Sequence, residues 1–548
     1  MAQPSVLIVG AGPSGLILAI TLLKNGVTVC IIDKEPKHRI GSRGTGIQPR
    51  TLELYDILGV LPEIQEVGEY VPQMRIYGDG QIEPLKTRPI APWVEPTPDT
   101  PNANPVALSQ ETHEGILRDH LQKLACSVEV GSELRRFEQF PDYVIAHIVK
   151  TGPDGTQVEE STKFDWLVGT DGAHSVVRKQ LGLTFLGETK EDQHLALGDI
   201  VVEEGVELGI WHIWQLPTRL MALRGAGSTS KVFMFAYTGR PAHVAEKAPT
   251  REEFIEDFYA YTGRRDVKFG EATWLSNYRP NMRMVDSFGK GRVFIAGDAA
   301  HCHSPTGGQG LNSSVQDAAN LGWKLALVQK GLAPAKLLDT YSEERVRVIA
   351  QMLKLTTDLY NKTFDLTTGA AGDDSAWDRG GDLGMLGVNY RGSSIILEAD
   401  EAAAAAAGAY ATPNGARVQA AYRAPDAPGL VAPESNVPTR LFALFDVTVH
   451  TVLVFSVDPA AHRAVSAALA GYPARRVRSV LLIPQGQTMD GDATPFTHVL
   501  QDREGHAYTG YGVRSGELTV VVVRPDGVVG CVASCAEDVE RYFQRIFV

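Results

Sequence analysis

The stretch Ser5–Lys34, SVLIVGAGPSGLILAITLLKNGVTVCIIDK, decides the fold. Ser5 to Gly10 is a short apolar run with β-branched residues, which predicts a buried strand. Pro13 to Asn25 has helical length and composition, and Gly26 follows as a stop. Val27 to Asp33 is strand-like again. The unit is βαβ, and its first turn is Gly10-Ala-Gly12-Pro13-Ser14-Gly15. One glycine makes the tight turn, one lets the backbone approach a pyrophosphate, and one lets helix and strand pack closely. The helix N-terminus then points unpaired N–H groups at the phosphates. Asp33 ends the second strand 18 residues after Gly15, where a carboxylate accepts both hydroxyls of an adenosine ribose, and Lys34 follows it. The bland alternative is a glycine-rich turn in an unrelated α/β protein. The strand before the turn, the helix after it and the acid beyond weigh against that.

The βαβ unit alone does not separate FAD from NAD. Two later stretches do. Phe164 to Gly169 is strand-like and runs into Thr170-Asp171-Gly172, then a short helix. Gly291 to Ala296 is a strand that ends in Gly297-Asp298. Ser304-Pro305-Thr306-Gly307-Gly308-Gln309-Gly310-Leu311-Asn312 follows and opens a long helix. A carboxylate at Asp298 can accept hydrogen bonds from ligand hydroxyls, although Asp also commonly caps helices. Glycines at 307, 308 and 310 let backbone approach a flat ring without a Cβ in the way. The helix dipole there favours negative charge on a bound group. His301 and His303 have no Cys or carboxylate neighbour at ligand spacing, so they read as packed or solvent-facing turn residues and no metal site is expected.

These three stretches together resemble the fingerprints of the class A flavoprotein aromatic hydroxylases, the para-hydroxybenzoate hydroxylase and phenol 2-monooxygenase fold. The likeness spans roughly residues 5 to 350. GDAAH…PxGGQGLN…QDAxNLxWKLA is its most specific part. The resemblance implies FAD bound by the residues named above, with Arg43 on the pyrophosphate and Gln110 also on the cofactor. It implies NADPH or NADH as a transient co-substrate, and Pro305 beside the activated oxygen with Gly307 and Gly308. The expected reaction is hydroxylation of a phenolic or other electron-rich aromatic compound by O2 through a flavin 4a-hydroperoxide. A related epoxidase, a Baeyer–Villiger oxygenase and a flavin-binding protein without turnover stay open. Phenol 2-monooxygenases carry an aspartate where this chain has Thr45, so a different source of ring activation is expected.

No second intact GxGxxG occurs, and none is needed where NAD(P)H binds transiently. Gly209-Ile-Trp211-His212-Ile-Trp214-Gln-Leu-Pro217 approximates a flavin-dependent halogenase motif with the first Trp one place early, so it reads as a strand edge of a substrate sheet. Trp211, His212, Arg224 and Tyr237, with Thr45, are the candidate substrate contacts, each also readable as core or surface.

The expected fold class is α/β: a Rossmann-like FAD-binding domain interrupted by a β-sheet substrate domain, plus a C-terminal thioredoxin-like α/β domain. Residues 1–70, 103–185 and 279–365 would build the first, and 71–102 and 186–278 the second. Residues 366–437 read as a helical or linker segment and 438–548 as the last domain. Within it Leu441–Phe445, Thr451–Val457, Val477–Pro484 and Leu518–Val523 are strand-like, and Ala460–Ala470 and Glu537–Ile546 helix-like. It holds Cys531 and Cys535 but no Cys-x-x-Cys, so a dithiol role is not expected.

Composition excludes some classes. The 548 residues are 44% hydrophobic and 21% charged, with net charge −13, which is globular and a poor match to nucleic acid. Five cysteines make no disulfide framework, and a reducing, cytoplasmic setting is expected. The apolar run Ser5–Leu23 lacks a basic lead and is broken by Gly10, Gly12, Pro13 and Gly15, so neither a signal peptide nor a membrane span is expected. The partners expected are a small aromatic substrate and O2, with a homodimer left open.

Overall fold

The computed structural model describes residues 4–548 apart from 43, 190–193, 217–218, 226–229, 241–246, 365–379, 399–406, 414, 416, 434, 436, 488–495 and 515. Three larger sheets organise it. The first has strand order Gly289–Lys290, Val293–Ile295, Trp166–Gly169, Val6–Val9, Val29–Asp33, Val128–Val130. Its inner strands run parallel, with Val6 paired to Val29 on one side and to Trp166 on the other. Helices Pro13–Lys24 and Gly310–Gln329 pack together beside it. Both lie in the interior: Leu16 to Leu22 and Asn312 to Leu327 are buried nearly throughout, the first helix almost wholly apolar and the second carrying buried polar and charged side chains such as Asp317 and Lys324. The ends of Val6–Val9, Trp166–Gly169 and Val293–Ile295 therefore meet at one edge. The turns Gly10–Gly15, Thr170–Ser175 and Gly297–Ala300 lie side by side there, as expected at the carboxyl ends of parallel strands.

The second sheet covers that edge. Its order is Lys268–Tyr278, Leu195–Glu204, Val232–Tyr237, Arg219–Gly225, Trp211–Leu216, Gln73–Tyr77, Lys86–Pro89. Strands from both inserts thus share one sheet. Phe233, Phe235 and Tyr237 alternate inward onto helix Arg251–Thr262, where Phe254 stacks on Phe235 with ring centres 3.9 Å apart. Trp211–Leu216 is an interior strand, not the edge expected from sequence. It pairs antiparallel with Arg219–Gly225 and parallel with Gln73–Tyr77, and that second pairing joins residues far apart in the chain.

The third sheet has order Pro438–Thr439, Leu430–Val431, His498–Asp502, Val477–Ile483, His450–Phe455, Thr519–Val523, Val529–Ala533. Its centre is a parallel βαβ unit through helix Pro459–Leu469. An antiparallel ββα unit ending in Ala536–Phe543 follows. Leu441–Phe445 is not a strand: Leu441–Ala443 is a 3₁₀ turn, with Phe442 N–H donating to Asp426 Oδ1 at 2.9 Å and both large side chains turned inward. The segment expected to be helix or linker forms no α-helix among its described residues. It carries a 3₁₀ turn at Gly381–Gly384 and lies against the third sheet, with Ala421 N–H bonded to Val529 O at 2.7 Å. Most of its alanine run, 402–406, lies outside the described residues. No helix among the described residues is long and apolar enough to cross a membrane.

Candidate active site

A cavity of ≈ 1010 Å³ runs between the first two sheets. The glycine turn forms one end of it through Gly10, Gly12, Pro13 and Ser14, and Asp33 and Lys34 line the same end. Gly10 has φ +103°, a conformation that a side chain would strain. A Cβ on Gly10 would lie 2.3 Å from Thr170 O, and one on Gly15 2.1 Å from Gly10 O. A Cβ on Gly12 would meet nothing within 4 Å. The turn is packed tight behind and open toward the cavity, a cradle for a phosphate-bearing group. Gly15 itself stands behind the wall. Asp33 Oδ2 accepts Ala11 N–H at 3.0 Å, which fixes the acid over the turn.

Asp171 lines the cavity too, but its carboxylate serves its own loop. Oδ1 accepts the Ser175 hydroxyl at 2.6 Å, and Oδ2 accepts Val176 N–H at 2.7 Å. Burial raises its carboxyl above the usual range despite these bonds. Gln110 opens helix Gln110–Lys123 on the wall and donates from Nε2 to Glu114 Oε1 at 2.8 Å. Arg43 lies outside the described residues.

Asp298 sits exposed on the cavity wall in the 3₁₀ turn Gly297–Ala299. Pro305, Gly307 and Gly308 follow on the wall. Gly307 has φ +82° and Gly308 φ +62°, two left-handed residues in succession. Gly310 and Leu311 start the long helix against the cavity. Asn312 does not reach it. Its Oδ1 accepts Gln48 N–H at 2.8 Å, and its Nδ2 donates to Gly46 O at 2.9 Å and Gly308 O at 2.6 Å. It ties the Thr45 segment to the glycine turn, and Thr45 lines the cavity beside it. His303 is a packed residue that touches the cavity. Burial pushes its imidazole down to about 4, and a Cβ on Gly310 would lie 2.4 Å from its Nε2.

The second sheet forms the far wall. Trp211 and Arg224 are directly paired across neighbouring strands, and both line the cavity. The Arg224 guanidinium lies 4.6 Å from the Trp211 ring centre. Arg224 Nε and Trp211 Nε1 are buried without a hydrogen-bond partner. Burial pushes Arg224 down to about 10. His212 points to the opposite face, as strand alternation requires. Its Nδ1 bonds Tyr77 OH at 2.8 Å, its Nε2 bonds Glu207 O at 3.0 Å, and burial pushes it down to about 4. It does not line the cavity. Tyr237 borders the cavity, but its hydroxyl donates to Asp257 Oδ2 at 2.8 Å and its ring belongs to the aromatic cluster beneath the sheet. Sequence reading missed Leu195, Leu197 and Trp274 on the cavity face. The alternation of Leu195–Glu204 was the signal that could have found the first two. Asp199, on the same strand, is buried, accepts Ser42 N–H at 2.6 Å and is pushed up to about 6 by burial.

A glycine cradle, an acid at the end of the second strand, a Gly-Asp turn and a left-handed double glycine lie on one cavity. The FAD binding domain family model matches residues 3–356, and the phenol hydroxylase C-terminal dimerisation domain model matches 490–548. The chain is 34% identical to a flavin-dependent monooxygenase of Mycobacteroides abscessus, over 99% of this chain and 100% of that protein. It is 31% identical to pentachlorophenol 4-monooxygenase of Sphingobium chlorophenolicum, over 74% and 75%. A solved ternary complex of aklavinone-11 hydroxylase with FAD and aklavinone is 26% identical with TM-score 0.79, over 100% and 99%. The chain belongs to the FAD-dependent aromatic monooxygenases.

Proposed function

We propose that this enzyme inserts one oxygen atom of O2 into an electron-rich aromatic ring whose substituents present acceptor oxygens to Arg224 and Trp211, with NADPH or NADH as reductant. The observation that carries this is the pair of buried, unpartnered donors on the far wall of the flavin cavity. A buried donor without an acceptor is costly, so an acceptor on the ligand is the natural complement. The relatives support the reaction class, since one acts on pentachlorophenol and another was solved with aklavinone.

FAD, when bound, supplies two-electron reduction by NAD(P)H and the activation of O2. The chain's own residues do the rest. The Gly10–Ser14 turn and Asp33 would hold the adenosine diphosphate end, and Asp298 would hold the ribityl hydroxyls. Pro305, Gly307 and Gly308 let backbone lie close to the ring, and the helix beginning at Gly310 favours negative charge there. Leu195, Leu197, Leu220 and Trp274 exclude water from the substrate side. Thr45 can orient a substrate hydroxyl but cannot deprotonate it.

The βαβ–ββα order of the third sheet supports reading the C-terminal unit as thioredoxin-like, without a dithiol. The match of residues 490–548 supports a homodimer. Light scattering at micromolar concentration tests the dimer.

The test of the reaction is a panel of phenols and phenolic acids, scored by stimulated NAD(P)H oxidation and by product mass under labelled dioxygen. Incorporation of one labelled oxygen atom is expected. Arg224→Met should weaken substrate binding tenfold or more with flavin reduction intact, and Arg224→Lys should recover part of it. Oxidation of NAD(P)H without labelled product across the panel would overturn the reaction. An unchanged KM in Arg224→Met would overturn the substrate contact.

A further inference from the structure

We propose that Asp317, seven residues into the long helix and away from the cavity wall, is the positioning residue that sets the Gly297–Asp298 turn against FAD. The inference rests on the assignment of Asp298 to the flavin made above.

The geometry is a buried hub. Asp317 Oδ2 accepts Gly297 N–H at 3.0 Å and bonds His301 Nε2 at 2.7 Å. Its Oδ1 accepts Arg345 Nε at 2.7 Å. The side chains of Asp317, His301 and Arg345 are all fully buried. Burial alone would raise the Asp317 carboxyl, but Arg345 and then His301 hold it below the usual carboxylate range. The two donors on Oδ2 come from either side of Asp298, so the carboxylate grips the turn at both ends.

That grip decides where Asp298 faces. Gly297 has φ +62°, and a Cβ there would lie 2.4 Å from Ser14 Oγ and 2.9 Å from Ser314 Oγ. The turn is thus wedged between the dinucleotide loop and the helix, both of which line the cavity. Position 297 has no space for a side chain, and loss of the Asp317 bonds to Gly297 and His301 would let the turn shift and swing Asp298. Arg345 is itself anchored, with Nη2 on Ser313 O at 3.2 Å and Nη1 on Tyr390 OH at 3.2 Å. Tyr341, on the same helix, bonds Ile295 O at 3.0 Å. The strand that delivers Gly297 and the turn that follows it are therefore held from one element, Asp339–Phe364. Asp317 touches no cofactor; it acts through the main chain of the turn.

Removal of the charge alone would leave Arg345 buried and unpaired, which lowers stability for a reason unrelated to FAD. The test therefore pairs the substitutions. FAD release from the full-length holoenzyme on dilution is followed by recovery of flavin fluorescence, and unfolding by circular dichroism. Asp317→Leu/Arg345→Met should unfold closer to wild type than Asp317→Leu, yet release FAD at least tenfold faster than wild type. If this double variant regains wild-type FAD retention along with its stability, Asp317 is merely structural and the proposal falls. A second measurement needs no variant. Hydrogen exchange of the peptide spanning 296–300 should be slow in the wild-type chain even before FAD is added, because the turn is already set. Exchange that becomes slow only on adding FAD would overturn the proposal. Asp298→Ala separates the two readings: if it retains FAD as wild type does, the Asp298 assignment fails. If it loses FAD while the double variant does not, only the Asp317 inference fails.

Discussion

Asp298 is exposed on the cavity wall, in a turn whose flanks Asp317 holds, and the reading proposed above places its carboxylate on the cofactor. Asp298→Ala should therefore lower FAD affinity by about 1.5–3 kcal/mol, the range of a charged hydrogen bond. Flavin fluorescence titration reads this, and the unfolding midpoint without FAD should not move. At Thr45 the expectation is milder. A hydroxyl can orient a phenol but not take its proton near neutral pH, so Thr45→Ala should raise KM or uncouple NAD(P)H oxidation while hydroxylation persists. Loss of oxygen transfer with normal flavin reduction would refute this. The place of Asp298 on the cavity was legible in the sequence because Gly-Asp ends a strand before a glycine-rich helix start. The commitments of Asp171 and Asn312 were not legible, since a motif names a residue but not the backbone groups its side chain will meet.

At the scale of the element, the period of two explains which substrate candidates line the cavity. Trp211 and His212 are neighbours in sequence and fall on opposite faces of one strand, so only Trp211 lines the cavity. The sequence identified the strand, but its place inside the sheet depends on pairing with Gln73–Tyr77 from the first insert. Long-range pairing leaves no local signal. Strand Val529–Ala533 shows the same logic for the thiols. Burial pushes Cys531 up to about 12, and its strand is covered by the Leu397 bridge. Cys535 caps the next helix and is partly exposed. An aromatic disulfide reagent should label Cys535 in the folded protein and leave Cys531 untouched. Cys535→Ser should leave the hydroxylation rate unchanged; a fall in rate with FAD content intact would show that the thiol matters to turnover.

Across the whole molecule, the C-terminal unit is joined to the flavin unit by buried charge. Arg524 bonds Glu344 through Nη1 at 2.7 Å and Nη2 at 2.9 Å, and its Nε bonds Asp526 Oδ1 at 3.0 Å. Glu344 also accepts Lys324 Nζ at 2.8 Å, and Arg50 donates to Asp526 O at 2.8 Å. The turn Arg524-Pro525-Asp526-Gly527, which follows strand Thr519–Val523, is thus the plug between the two units. Nothing in its composition says what it would meet. Burial alone would raise Glu344, but Arg524 and then Lys324 hold it far below the usual range. Truncation of Arg524 leaves Glu344 with a single cationic partner in a dry site, a loss of about 3–5 kcal/mol for a broken buried pair. Wild type should then unfold in one transition, with flavin release and loss of secondary structure coinciding, because the units share this cluster. In Arg524→Met the curves should separate: part of the circular dichroism signal is lost at lower temperature while flavin stays bound. Coincident curves in the variant, shifted together, would mean that the units are one cooperative block held by more than this cluster. Two separate transitions already in wild type would mean that the cluster does not couple them.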